Sequence, residues 1–320
     1  MPFSAHNHAQ QNPKVLDVSG LTVNYGKHRA LDDLALEINA GELVGVIGPN
    51  GAGKTSFVKA LCGRLKLNGK IEINQKTLSR GTDRRKHIAL VPQDIGLYPH
   101  LSAKENLDVI GRLLRLKDKH SVMDALDAVE MREHEGLRVS EMSGGMKRRI
   151  NVAAAILTKP SLIIFDEPTA GVDIPARDTV HRLARKLADA GKAVILITHE
   201  LDQAEALCDK VLLLCKGKRL AFEPPARLLE RSFQGQREVR VRYGSPPDFD
   251  ISEAMKPFQF KQGELPTIWV ALTNANEVSF VSAFLTALRG GDELIREISI
   301  RRPGLTALMH RIEKTGRLSA

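Results

Sequence analysis

The sequence predicts an α/β fold, and three observations carry that expectation. Four short apolar runs, ELVGVIG (42–48), HIALVPQ (87–93), LIIFDEP (162–168) and AVILITH (193–199), have the length and near-continuous apolarity of parallel strands buried on both faces. Stretches with helical spacing lie between them, the alternation that builds a parallel sheet flanked by helices. The first run leads through a glycine-rich loop straight into a helical stretch, Ser56 to Leu65.

The remaining elements come in order. Residues 1–13 read as a polar tail, in which His6 and His8 are solvated rather than metal-bound. VLDVSGLTVNYG and ALDDLALEIN alternate apolar with polar residues, which suits antiparallel strands with one wet face. From about 97 to 157 strands give way to helices. Ser102 and Glu105 have capping-box spacing, Ser121 opens a second helical run, and apolar residues recur at helical intervals after Ser102. The main domain therefore spans 14–222, with a helical subdomain inside it. Residues 223–237 read as a connector. EVRVRY, TIWVAL and ELIREISI read as strands, VSFVSAFLTALRG and LTALMHRIEKTGR as helices, so 238–320 form a small α+β domain.

Composition sets outer bounds. Of 320 residues 42% are hydrophobic, enough for a large core and against global disorder. A net charge of +9 fits nucleic acid, an anionic membrane surface or plain solubility equally well. Cys62, Cys208 and Cys215 form no C-x-x-C pair and read as free, buried thiols of a reducing compartment. No apolar run approaches the roughly 18 residues of a membrane span, and the N-terminus lacks the order of a signal peptide.

The chemistry concentrates at strand ends. Gly48-Pro49-Asn50-Gly51-Ala52-Gly53-Lys54-Thr55 fits G-x-x-x-x-G-K-S/T, with a strand before it and a helix after it. Its glycines let the backbone wrap a phosphate chain, and amides from Gly51 to Ser56 point at phosphate oxygens. Lys54 reaches the β and γ phosphates and the Thr55 hydroxyl holds Mg2+. Asp166 and Glu167 end a buried strand. Strand alternation sends them different ways, Asp166 to the metal and Glu167 to an attacking water as general base. His199 ends the next strand, where its imidazole reaches the γ-phosphate. Gln93 ends another, and its amide oxygen suits Mg2+. A second helix start, Ser143-Gly144-Gly145 followed by Lys147, Arg148 and Arg149, reads as another anion-binding site.

Together these motifs resemble an ABC-type ATPase, a P-loop NTPase core with an antiparallel β subdomain and a helical subdomain. The resemblance covers 15–222 and runs through Tyr25, 48–55, Gln93, MSGGM (142–146), LIIFDEP, AGVD (170–173) and His199. It implies that Tyr25 stacks on adenine, that Asp173 communicates between subunits, and that the helical insertion contacts a membrane partner. It also implies two ATPase domains paired head to tail, as a homodimer or a heterodimer. The phosphate loop of one then faces Ser143, Gly144 and Gly145 of the other across ATP. Three positions depart from the family pattern: Met142 and Met146 replace the usual Leu and Gln, and Ala170 the usual Ser. The SGGMKRR form and the ending ISIRRPGLTALMHRIEKTGR resemble exporter ATPases of the ABC-2 branch, whose membrane spans lie on a separate polypeptide. The resemblance thus implies a polytopic ABC-2-type permease as partner, a place on the cytoplasmic face of the membrane, and no nucleic acid. DNA-repair relatives carry long coiled-coil insertions and ribosome-acting relatives two ATPase domains, and this chain shows neither.

Overall fold

The computed structural model describes residues 12–78, 81–118, 120–169, 174–247, 249–263, 265–288 and 294–318. The chain divides into two compact units, 1–225 and 226–320.

The first unit opens with two long strands, β1 (Lys14–Tyr25) and β2 (His28–Asn39), paired antiparallel as their alternation predicts. β3 (Leu43–Ile47) is buried at every residue and runs into α1 (Lys54–Leu61). Next come β4 (Asn68–Ile73), β5 (Lys76–Thr77), the single turn α2 (Gly81–Arg84) and β6 (Ile88–Val91). The helical region holds α3 (Ala103–Leu113), α4 (Ser121–Ala128) and α5 (Gly144–Ile156). β7 (Leu162–Asp166), α6 (Ile174–Asp189), β8 (Ala193–Ile197), α7 (Leu201–Leu207), β9 (Lys210–Cys215) and β10 (Lys218–Glu223) complete it.

Two sheets result. One is ordered β2-β1-β4-β5 and antiparallel, the other β10-β9-β3-β8-β7-β6. In the second, all neighbours pair in parallel except the edge strand β10. Its central strands β7 and β8 show why continuous apolar runs were needed: Leu162 to Phe165 and Ala193 to Ile197 are all buried. Leu16, Leu34, Ile38 and Phe57 join Val44, Val46 and Ile195 in one core that binds the two sheets together.

The capping box forms as its spacing predicts. Ser102 Oγ accepts from the Glu105 amide at 3.2 Å, and Glu105 Oε2 accepts from the Ser102 amide at 2.8 Å. A buried Asn106 closes the preceding loop, accepting from the Tyr98 amide at 2.7 Å and donating to the Ser102 carbonyl at 2.9 Å. The three cysteines are free and buried. Burial pushes the Cys208 thiol up to about 12.

The second unit begins in α8 (Pro225–Phe233), so a helix occupies much of the stretch that reads as a connector. β11 (Arg237–Tyr243), α9 (Phe249–Met255), β12 (Lys261–Gln262), β13 (Ile268–Thr273), α10 (Glu277–Ala287), β14 (Ile295–Arg301) and α11 (Leu305–Thr315) complete the chain. The sheet is antiparallel in the order β12-β13-β11-β14. Val239, Val241, Tyr243 and Ala271 on one face pack with Met255, Phe260, Phe284 and Leu288.

Candidate active site

Sheet register assembles the site. β3 and β7 both flank β8, and Val46 and Asp166 lie opposite the same residue, Ile197. β6 then pairs with β7, with Val91 opposite Phe165. The carboxyl ends of β3, β8, β7 and β6 therefore line one sheet edge in sequence. That edge carries the 48–55 loop, His199, Asp166 with Glu167, and Gln93. Open α/β sheets gather ligands at such an edge.

The loop is held tightly from below. Gly48 has φ 153°, and a Cβ there would lie 2.2 Å from the Leu214 carbonyl oxygen. Gly53 has φ 108°, and its Cβ would meet the Ala30 carbonyl oxygen at 2.6 Å. No side chain larger than hydrogen fits either position. The Ala52 amide donates to Pro49 O at 3.1 Å, and the Gly217 amide to Ala52 O at 3.0 Å. Gly53 precedes α1 without a side-chain cap, so the first amides of α1 keep their donors for an anion. Gly51 and Asn50 are exposed on the loop, as is Thr55 in the first turn of α1, while Ser56 is half-buried.

Lys54 is 7% exposed and folds back over the loop. Its Nζ donates to Gly48 O at 2.6 Å and Pro49 O at 3.2 Å. An ammonium has three donors, so one remains for phosphate. Burial lowers its pKa, and the charge of Glu167 opposes that shift. Across the edge, burial raises the pKa of Asp166, and the neighbouring Glu167 carboxylate raises it further. Two adjacent carboxylates in a half-buried place call for a cation.

Strand alternation does not separate Asp166 from Glu167. β7 stops at Asp166, and Glu167 takes the left-handed conformation with φ 48°. Its amide donates to the Ile197 carbonyl at 3.0 Å. The turn brings Glu167 Oε1 within 2.7 Å of His199 Nε2. His199 stands two residues beyond β8, and Gln93 two beyond β6, where it is exposed. Tyr25 closes β1 and is 46% exposed.

The second helix start has its own geometry. Ser143 caps α5 by accepting from the Met146 amide at 3.3 Å. Ser143 and Gly144 are exposed, and no described atom lies within 4 Å of a Cβ placed on Gly144. The basic run behind them does not serve anions as a block. Arg148 is 2% exposed and donates to the Pro92 carbonyl at 3.0 Å. Arg149 donates to the Glu130 carbonyl at 3.3 Å. Helix phase buries Arg148, and the half-exposed Arg149 is spent on a carbonyl that follows α4. Asp173 and Ala170, expected in the subunit-communication loop, lie outside the described residues, as do His6 and His8.

Sequence reasoning missed several residues. Arg148 and Asn151 both donate to the Pro92 carbonyl, Asn151 at 3.4 Å, tying α5 to the residue before Gln93. Their i, i+3 spacing on one helix face was the available signal. His181 on α6 is 2% exposed, lies 3.7 Å from Glu200, and has neither ring nitrogen hydrogen-bonded among the described residues.

The family described as ABC transporter matches residues 31–170. "Nod factor export ATP-binding protein I" of Mesorhizobium japonicum is 34% identical over 247 residues, 76% of this chain and 72% of that protein. The protein of the same name from Rhizobium leguminosarum bv. viciae is 32% identical over 250 residues, 75% and 78% of the two chains. Among solved structures, an ATP-binding subunit of an ABC transporter aligns with TM-score 0.60 at 27% identity, over 69% of this chain and 93% of that one. The cbiO1 protein of Clostridium perfringens, part of the ABC transporter complex cbiONQ, aligns with TM-score 0.62 at 25% identity, over 68% and 91%. Identity of this extent along most of both chains shows kinship, and the chain belongs to the ATP-binding proteins of the ABC transporter family.

Proposed function

We propose that this chain powers an ABC-2-type exporter by hydrolysing ATP between two ATPase subunits paired head to tail, with Glu167 as the general base. The observation that carries the reading is the 2.7 Å pairing of Glu167 with His199, on the same sheet edge as the Lys54 loop. Lys54 and the amides at the start of α1 bind and orient the phosphates. Tyr25, exposed at the end of β1, supplies a ring for adenine. Glu167 takes a proton from the attacking water, and His199 fixes the carboxylate by donating to it.

Oxygen donors on Thr55, Gln93 and Asp166 suit a hard divalent cation. The raised pKa of Asp166 beside Glu167 marks a place where positive charge is wanted. Mg2+ held there would neutralise charge on the β and γ phosphate oxygens.

Ser143, Gly144 and Gly145 present a second open helix start that no described residue of its own chain covers on the Gly144 side. A nucleotide held by another subunit fits it by charge and by access. The chain has no helix among its described residues long and apolar enough to cross a membrane. Its kinship with export ATP-binding proteins supports a separate permease as the partner, with this subunit on the cytoplasmic face. Asp173 would couple the two subunits, and the helices of 97–157 would meet the permease.

The test is co-purification. Tagged Glu167→Gln, isolated with ATP from detergent-solubilised membranes of its native cell, should bring a stoichiometric polytopic protein. Recovery of soluble proteins or nucleic acid alone would refute the exporter reading and leave the ATPase core standing.

A further inference from the structure

One face of the second unit's sheet is covered by its aromatic core; the other is not. On that other face a cleft of about 380 Å3 lies between the sheet and α11. Ile268, Val270 and Leu272, alternate residues of β13, form an apolar floor. The volume falls in the range of small-molecule sites.

The charges around this floor are unbalanced. Val270 pairs with Arg240 on β11 and with Lys261 on β12. Cross-strand partners share a face, so two cations flank one apolar residue. Neither has an ion-pair partner among the described residues, and nor does Lys314, which reaches the cleft from α11. Two strand spacings, roughly 10 Å, separate the Arg240 and Lys261 backbones, so both long side chains can turn toward one anion set between them. The one carboxylate among the described lining residues, on Glu238, is 2% exposed and already accepts from Arg301 Nε at 2.7 Å. Arg311 adds a further cation with no carboxylate partner among the described residues. Its guanidinium donates to Ser232 O at 2.6 Å and lies 4.2 Å over the Phe233 ring.

Arg242, on the same strand face, behaves differently: it lies 3.6 Å from Glu297 and does not line the cleft. On this face of β11, then, the arginine without a carboxylate is the one that lines the cleft.

We infer that this cleft binds a small amphiphilic anion, with a phosphate or carboxylate head between Arg240, Lys261 and Lys314 and an apolar body on Ile268, Val270 and Leu272. A soluble alkyl anion and a monomeric anionic phospholipid share that chemistry. This site is separate from the nucleotide site and does not depend on its assignment.

The test is titration calorimetry of the full chain with octyl phosphate below its micellar concentration. Saturable binding of one per chain is expected, tighter than that of inorganic phosphate or octyl glucoside. Arg240→Gln and Lys314→Gln should each weaken it roughly tenfold, the loss of one charge-assisted hydrogen bond. Arg242→Gln should not. Both weakening substitutions fall on exposed or half-buried side chains, and unchanged melting temperatures would show that the fold survives them. Displacement of octyl phosphate by phosphatidylglycerol vesicles would identify a lipid source; displacement by neither these nor phosphatidylcholine vesicles would identify a soluble one. Equal affinity for octyl phosphate and octyl glucoside, or for octyl phosphate and inorganic phosphate, would overturn the inference. So would wild-type affinity in both cleft variants.

Discussion

Glu167 Oε1 and His199 Nε2 lie 2.7 Å apart, although one stands after β7 and the other after β8. The contact requires Glu167 to leave the strand with φ 48°, a conformation that costs a non-glycine residue about 1 kcal/mol or more. Such strain persists where the surroundings over-determine it, and here the Ile197 carbonyl holds the Glu167 amide. Glu167→Gln should slow hydrolysis by a factor on the order of 10² or more while leaving ATP binding intact. His199→Ala should slow hydrolysis too, with little change in ATP affinity. Single-turnover phosphate release and fluorescent-ATP titration measure the two quantities. Wild-type turnover in Glu167→Gln would remove the base from the mechanism.

Lys54 separates binding from chemistry. Its buried ammonium already satisfies Gly48 O and Pro49 O, so its removal loosens the loop and deletes a phosphate contact together. Lys54→Ala should lose most of the thermal stabilisation that ATP gives the wild type. A ligand at about 100 times its dissociation constant stabilises by about 2.7 kcal/mol, so a loss of tight binding is visible as a smaller melting shift. An undiminished shift would contradict the role given to Lys54.

Much of this site was legible because its motifs fall at strand ends, and sheet strands are easy to read when both faces are buried. Leu162 to Phe165 and Ala193 to Ile197 announce themselves as apolar runs, and parallel register then brings their ends together. The turn just past a strand end was less legible. Alternation wrongly carried through Glu167, because a single left-handed residue has no composition signature when it is not glycine. Charge was misleading for a related reason. Arg148 and Arg149 look like an anion site in one dimension, but helix phase turns them onto carbonyls. In the second unit the elements were legible, whereas the cleft depends on three strands whose register no single segment encodes.

Arg148 supplies a test of how the helical region is fastened to the site. Its side chain is fully enclosed, and it grips the Pro92 carbonyl one residue before Gln93. Burial lowers its pKa, with Asp94 opposing, so the charge is kept at some cost for this one contact. Arg148→Ala leaves a cavity and the Pro92 carbonyl with only the longer Asn151 contact, and should destabilise the fold by about 2 kcal/mol or more. If the contact also positions Gln93, ATPase activity should fall further than Asn151→Ala lowers it, since Asn151 holds the same carbonyl at a longer 3.4 Å. Chemical denaturation gives the first quantity and steady-state turnover the second.

His181 sets a pH limit on stability. It is 2% exposed on α6, and its ring nitrogens have no hydrogen-bond partners among the described residues. Burial lowers its pKa from the ordinary 6.5, and Glu200 at 3.7 Å and Asp178 only partly offset this against Arg177. The native chain therefore keeps the ring neutral at pH values where the unfolded chain has already bound a proton. Stability from this group is complete above about pH 6.5 and is lost as pH falls from there to the depressed native value. Across that window the loss approaches about 1.4 kcal/mol per pH unit. His181→Leu, which packs without titrating, should melt with a visibly shallower pH dependence between pH 7.5 and 5.5 than the wild type. Parallel curves for the two proteins would show that His181 binds protons alike in the folded and unfolded chain, and a wild type that loses stability relative to His181→Leu as pH rises would show that Glu200, at 3.7 Å, holds it charged.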